Sequence, residues 1–314
     1  MSSYLRVLRY QDFRYLFLGQ SASVVGDQVV VVSIALFITQ ATGSASDLGL
    51  VLGAQATALV ALLLLGGVWA DRLPHLKGRV MIVTDVIRAA LHTAVAALIF
   101  TGAIRVWQLI AIEALFGAAQ AFFQPAYSGL LPQTVPEELI QDARALTEST
   151  SNLGFLIGPA LATALVLGAG AGFAFAFDAA TFMLSALLLM RVRPRPRGPA
   201  AASASIAHEL RAGWGEVRSR SWVWVTIAAF AGAVLCVYAQ WYALAPGIAG
   251  RVYGSVGVFG LLEGVAGAGA VCGALAGLRW RPARPLRAGL LLVLPWPFPA
   301  TAPALRAPLA LLLG

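Results

Sequence analysis

Residues 46–79 read SDLGLVLGAQATALVALLLLGGVWADRLPHLKGR. The first part, 46–70, is an apolar run, and it exceeds the roughly 20 residues that a helix needs to cross a hydrocarbon core. Charged residues follow it directly, at Asp71, Arg72, Lys77 and Arg79. The stretch therefore predicts a membrane-spanning helix that ends in a short charged connection.

The composition places the whole chain in the same class. It has 314 residues, of which 59% are hydrophobic and 11% charged, whereas a soluble domain carries about 25% charged residues. Apolar runs of spanning length recur at 15–41, 46–70, 80–103, 106–127, 145–169, 171–190, 221–247 and 255–278. A ninth run, 286–300, is interrupted by prolines. We predict an all-α, polytopic membrane protein.

Basic residues mark one side of the predicted membrane domain. They precede the first run and follow the second, fourth, sixth and eighth, whereas the opposite connections hold only Arg105, Arg251 and Arg306. Because arginine and lysine concentrate in cytoplasmic loops, we expect a multi-pass protein with a cytoplasmic N-terminus. The pI of 10.2 then reports topology, and we expect no nucleic-acid partner.

The sequence argues against several kinds of chemical site. Cys236 and Cys272 both fall in predicted spans, which suits neither a disulfide framework nor a zinc site. His208 and Glu209 lack the second histidine of a zinc protease motif, and no GxxxxGK[ST] loop is present. We therefore expect no metal, no cofactor and no enzymatic activity.

The chain divides at an Arg- and Pro-rich stretch that begins at residue 191. We predict a six-helix half at 1–190, a cytoplasmic linker at 191–220 and a partial second half at 221–314. The sequence is still apolar at 309–314. Since transporters are often built from repeated six-helix halves, we expect the second half to be truncated after about three helices.

The charged connection has a recognisable pattern. Gly67-x-x-x-Asp71-Arg72 followed by Gly78-Arg79 resembles the signature loop of the major facilitator superfamily, with a longer spacer before the second Gly-Arg. The resemblance implies a conformational latch, a set of contacts that holds one state of the transport cycle. The alternative interpretation is a charged turn that only anchors topology.

Two further motifs extend the resemblance. Gln124-Pro125-Ala126 closes the fourth span as in exporters related to the enterobactin efflux protein. Gly154, Gly158 and Pro159 in the fifth span resemble the antiporter-associated Gly-Pro motif, although small residues four apart also suit ordinary tight helix packing. The resemblance implies a monomeric exporter of the drug-efflux type in the bacterial cytoplasmic membrane. It would exchange protons for a small amphipathic molecule, which is a drug, a siderophore or a metabolite.

Carboxylates inside predicted spans are the candidate proton and substrate pathway. A charge within the bilayer is costly and faces a cavity or a partner. The candidates are Asp27, Glu113, Asp178 and Glu263, together with Gln120 and Gln124, which share a helical face with Glu113. We expect them to line one central cavity and favour Asp27 and Glu113 as proton carriers. The alternative is static hydrogen bonding between helices.

Three other polar residues lie in the third span. Asp85 and Arg88 are three residues apart, which predicts a local ion pair, and we interpret His92 as a packed polar residue. Two other functions remain as alternatives for the chain. They are the membrane domain of an ATP-driven exporter with a separate nucleotide-binding subunit, and a membrane-embedded enzyme.

Overall fold

The fold is seen in a computed structural model, which describes residues 3–72, 76–193, 215, 217–233, 239–255 and 257–279. Six long helices come first: α1 Gln11–Ala41, α2 Ala45–Arg72, α3 Lys77–Phe100, α4 Val106–Leu130, α5 Ile140–Gly168 and α6 Ala171–Leu189. Three more follow: α7 Ser221–Ala233, α8 Ala239–Tyr253 and α9 Gly257–Arg279. The described residues contain no strand, which confirms the all-α prediction.

The first six helices are each long and apolar enough to cross a membrane. A helix satisfies its own backbone hydrogen bonds, so such runs fold this way in lipid. The predicted spans match these helices to within a few residues, apart from α5, which begins at Ile140 where the predicted run begins at 145. Positive-φ glycines such as Gly43 (φ 65°) and Gly102 (φ 67°) end α1 and α3, a conformation that suits glycine at a helix C-terminus.

The structure describes only part of the second group of helices. The single predicted span at 221–247 falls on α7 and α8, and residues 234–238 between them lie outside the described part of the chain. Most of the predicted linker 191–220 and the proline-interrupted run 286–300 also lie outside it. The eighth predicted span, 255–278, corresponds to α9.

In the part of the chain that the structure describes, helix packing builds a bundle with two large apolar cores and a small third one around Phe116 and Phe182. The main pairs are α2 with α4, α3 with α6 and α4, and α1 with α5 and α6, while α9 packs on α5 and α8 touches α1 and α2. One core lies near the end of the bundle where α1 begins, around Phe13, Met81 and Phe123. The other lies toward the opposite end, around Ile34 and Phe175.

The first and last helices of the six are tied together at the end of the bundle where α1 begins. The backbone N–H of Arg193, just beyond α6, donates a hydrogen bond of 2.8 Å to Asp12 Oδ1 in the first turn of α1. The Arg191 guanidinium lies 5.9 Å from the centre of the Tyr15 ring. The chain therefore leaves the six-helix bundle from a point that is fixed to α1.

Candidate functional site

Helix α3 carries an ionisable residue at each of three successive positions on one buried face. Asp85, Arg88 and His92 follow one another at intervals of three and four residues, which places them on the same side of a helix. Asp85 and His92 are 0% exposed and Arg88 is 1% exposed. Such groups are rare inside membrane spans and require partners.

Arg88 contacts an acid on its own helix and aromatic rings on two neighbouring helices. Its guanidinium forms an ion pair with Asp85, as their spacing predicts. It also lies 4.2 Å from the ring centres of Phe123 on α4 and Phe182 on α6, within the range of a cation–π interaction. The Arg88 charge is therefore neutralised by its own helix and enclosed by aromatic rings from the two neighbouring helices.

His92 lies between two carboxylates from different helices. Its Nδ1 is 2.5 Å from Asp178 Oδ2 on α6, and its Nε2 is 3.4 Å from Glu113 Oε1 on α4. All three side chains are completely buried. The imidazole thus connects α3 to α4 and to α6, and the sequence interpretation of His92 as a packed polar residue omits both contacts.

Aromatic side chains hold the imidazole in this orientation. The His92 ring stacks on Phe116 of α4, with centres 4.3 Å apart and planes 3° from parallel. Phe175 of α6 meets it edge to face at 5.4 Å. Because the ring plane is fixed on two sides, each ring nitrogen keeps one carboxylate neighbour.

Asp27 on α1 completes the group of charges. A Cβ on the neighbouring Gly26 would overlap Asp178 Oδ1 and Thr181 Oγ1, so α1 runs directly against α6 at this level. Asp27 interacts electrostatically with Asp178, Arg88 and the other charges of α3, but its own side chain is only partly buried. We call Asp27, Asp85, Arg88, His92, Glu113 and Asp178 the charge cluster.

The charge cluster contains more acids than bases. Its four carboxylates face one arginine and one histidine, and Asp85 already neutralises the arginine. Among the described residues, neither Glu113 oxygen has a hydrogen-bond partner. A buried charge without such partners is costly, and the cluster holds an excess of acids over bases.

The remaining predicted pathway residues lie in different surroundings. Gln120 is partly buried and Gln124 is exposed, so the predicted stripe of α4 changes from the bundle interior to its surface along the helix. Glu263 on α9 accepts a hydrogen bond from the indole N–H of Trp241 on α8. The charge cluster therefore joins Asp27, Glu113 and Asp178 inside the first six helices, while Glu263 belongs to the second group.

Only part of the signature loop can be described. Asp71 and Arg72 end α2, and their side chains lie outside the described part of the chain, whereas Arg79 in the first turn of α3 is exposed. The close approach of α2 to α4 occurs at Gly66, one residue before the Gly67 of the motif. A Cβ on Gly67 or Gly78 would meet nothing within 4 Å, but one on Gly66 would lie 3.1 Å from Phe122 Cα on α4.

The Gly-Pro motif of α5 faces α1. A Cβ on Gly154 would lie 2.9 Å from Val24 Cγ1, and one on Gly158 would overlap the Gln28 side chain. Pro159 is buried inside a continuous helix. The motif thus brings α5 against the stretch of α1 that carries Asp27.

The described residues contain no group of three or more histidine, cysteine or acidic side chains that could hold a metal ion. One small cavity of about 260 Å³ lies between the ends of α1 and α4 and is lined by residues such as Phe37, Ile38 and Arg105.

Comparison with known proteins gives a consistent relationship. The sequence model of a family described as "Transmembrane secretion effector" matches residues 2–292. Macrolide efflux protein A of Streptococcus pyogenes is 27% identical over 155 residues, which is 49% of this chain and 37% of that protein. The protein of the same name from Enterococcus faecalis is 28% identical over 99 residues, 32% of this chain and 30% of the relative. The two alignments therefore cover only about a third of each relative's own length.

Proposed function

Because this chain belongs to the transmembrane secretion effector family of the major facilitator superfamily, we propose that it exports a small amphipathic molecule in exchange for protons. The export takes place across the bacterial cytoplasmic membrane, with the N-terminus and the signature loop on the cytoplasmic side. The substrate class is that of the relatives' names, macrolide-like compounds with a large apolar surface and few charges.

The observation that carries this proposal is the charge cluster. Ionisable residues in membrane spans generally face a cavity or one another and commonly serve transport. Four of the six helices that can cross a membrane contribute to the cluster, and a purely structural bundle has no need of four carboxylates there. Proton binding at the cluster gives the export reaction its energy source.

The arrangement of helices supports alternating access. Among the residues that the structure describes, the second group touches the first chiefly through α9 with α5 and α8 with α1. On α9, Gly260 approaches α5 so closely that a Cβ would lie 2.9 Å from Thr163 Cγ2. Transporters of this type work by rocking one helical group against the other around a midplane site, and α1 and α5 are the helices that would bear the moving contacts.

The signature loop acts as the latch in this cycle. Asp71 and Arg72 end α2 and Gly78 and Arg79 begin α3, so the loop joins two helices that pack against α4. Contacts made by the loop in one state must break in the other. The glycines of α5 keep α1 and α5 in close contact while this happens.

The test separates proton-driven export from the membrane domain of an ATP-driven exporter. Cells that express this chain are loaded with radiolabelled erythromycin, and efflux is followed with ATP depleted but the proton gradient intact, and then with the gradient collapsed by an uncoupler. We expect efflux to persist in the first condition and to stop in the second. Efflux that follows ATP instead would contradict the proposal.

A further inference from the structure

The distances within the charge cluster identify where a coupling proton would be held. Building on the proposed proton exchange, we propose that the proton is taken up and released at the junction between His92 Nε2 and Glu113 Oε1, while Asp178 fixes the ring from the other side. His92 is then the proton-carrying residue that joins α3 to α4.

The number of hydrogens shared between the His92 ring and its two carboxylates defines two states of the site. A hydrogen bond at each ring nitrogen of His92 needs one hydrogen between that nitrogen and its carboxylate. The ring supplies both as an imidazolium, or it supplies one and a carboxyl group supplies the other. Either way, both junctions are bonded only when two protons are present. Loss of one proton leaves a ring nitrogen and a carboxylate oxygen facing each other with lone pairs only.

When one proton is lost, the hydrogen bond between His92 and Glu113 is the one that breaks. The Asp178 contact, at 2.5 Å, is the closer of the two. The Glu113 contact, at 3.4 Å, lies beyond normal hydrogen-bond length, and the part of the chain that the structure describes gives Glu113 no hydrogen-bond partner. The proton therefore leaves and enters on the Glu113 side.

Of the other charged groups near His92, Arg88 is already paired and Asp27 is partly exposed, so His92 is the group that gains and loses the proton. Those on elements packed around it are Asp27 of α1, Asp85 and Arg88 of α3, Glu113 of α4 and Asp178 of α6. Arg88 is engaged by Asp85 and enclosed by two phenylalanine rings. Asp27 is partly exposed, so it offers the step between the buried junction and the bundle surface.

The helix that carries Glu113 packs closely against the helix that leads into the signature loop. A Cβ on Gly117 of α4 would lie 2.9 Å from the carbonyl carbon of Gln55 on α2, and Gly66 of α2 makes the same kind of contact with the backbone of α4 at Ala121. The helix that carries Glu113 is therefore packed, backbone against backbone, on the helix that ends in Asp71 and Arg72.

Nitrogen-15 NMR tests the junction directly, because the chain contains only three histidines. Substitution of His75→Gln and His208→Gln leaves His92 as the single imidazole, and its ring nitrogens report protonation and tautomer in nanodiscs as pH is varied. We compare Glu113→Gln with the matched control Glu138→Gln, which changes an exposed glutamate in the turn before α5. A charge within about 4–6 Å shifts a titration by roughly one pH unit or more.

We expect Glu113→Gln to displace the His92 titration by about one pH unit or more, or to abolish it, and Glu138→Gln to leave it unchanged. Identical His92 titrations in the two variants would overturn the proposal. Size-exclusion profiles that match the parent protein establish that Glu113→Gln is folded.

The outcome is independent of the proposed export function. If erythromycin efflux depends on ATP but the His92 titration depends on Glu113, proton-driven export is contradicted and the proton site at His92 and Glu113 is supported. If efflux depends on the proton gradient and the His92 titration is independent of Glu113, the proton site is contradicted and proton-driven export is supported.

Discussion

Replacement of Arg88 by methionine tests whether the charge cluster is held together by electrostatics. Arg88→Met keeps an unbranched side chain between Phe123 and Phe182 but removes the cation that pairs with Asp85. The Asp85 carboxylate is 0% exposed, so no water replaces the lost partner. Removing one member of a buried ion pair costs about 3–5 kcal/mol.

The double variant Asp85→Asn with Arg88→Met gives the decisive comparison. It removes both charges, so the remaining cost is that of a buried amide with poor hydrogen bonding, about 1–3 kcal/mol. We therefore expect the double variant to be more stable than Arg88→Met alone by about 2 kcal/mol, a coupling typical of residues in contact.

Equilibrium unfolding measures both variants on one scale. Each protein in mixed micelles is titrated with SDS, and the loss of tertiary structure is followed by tryptophan fluorescence. A double variant that is as unstable as Arg88→Met, or less stable, would refute the reasoning, because the unpaired carboxylate would then not be the source of the loss.

Three further predictions follow from the packing, the topology and the loop. Gly158→Ala forces a methyl group into Gln28 of α1 and should lower the free energy of unfolding by about 1–3 kcal/mol, whereas Gly168→Ala, which meets nothing within 4 Å, should not lower it in the same SDS titration. In a Cys236→Ala and Cys272→Ala background, an impermeant maleimide added to whole cells should label Ala103→Cys, between α3 and α4, but not Glu138→Cys, between α4 and α5; the reverse pattern would invert the proposed topology. Asp71→Asn should reduce erythromycin efflux at least tenfold with normal membrane insertion, whereas Asp47→Asn at the opposite end of α2 should not, and equal efflux from the two variants would remove the latch.

The sequence predicts the helices well because their formation depends on local properties. Length and apolar character are visible in any single run, and the six predicted spans of the first group correspond to α1–α6. The Asp85–Arg88 ion pair is equally local, since both residues lie on α3. Neither inference requires knowledge of which helix packs on which.

The charge cluster depends on packing and was therefore only partly predictable. The acids Asp27, Glu113 and Asp178 stand out as charges in apolar runs, but nothing in the sequence connects Asp178 to His92, 86 residues away. Their meeting results from the pairing of α3 with α6, in which Gly172 packs against Phe100 and the rings of Phe175 and Phe182 lie beside His92. His92 was the residue whose importance only the structure brings out.

The α2 glycines illustrate how finely orientation matters. Consecutive residues on a helix point about 100° apart, so Gly66 and Gly67 face different neighbours. The motif draws attention to Gly67, yet Gly66 is the one in contact with α4. A motif locates the helix end correctly, while the packed face depends on the whole bundle.

The bond between Asp12 and the backbone of Arg193 bears on how force passes between the two groups of helices. Since the chain leaves α6 at a point tied to α1, a pull from the following segment acts on the seam between the first and last helices of the bundle. The load is shared by two long helices, one of which carries Asp27 and the other Asp178. Movement of the segment that follows must therefore either carry the start of α1 along or break this hydrogen bond.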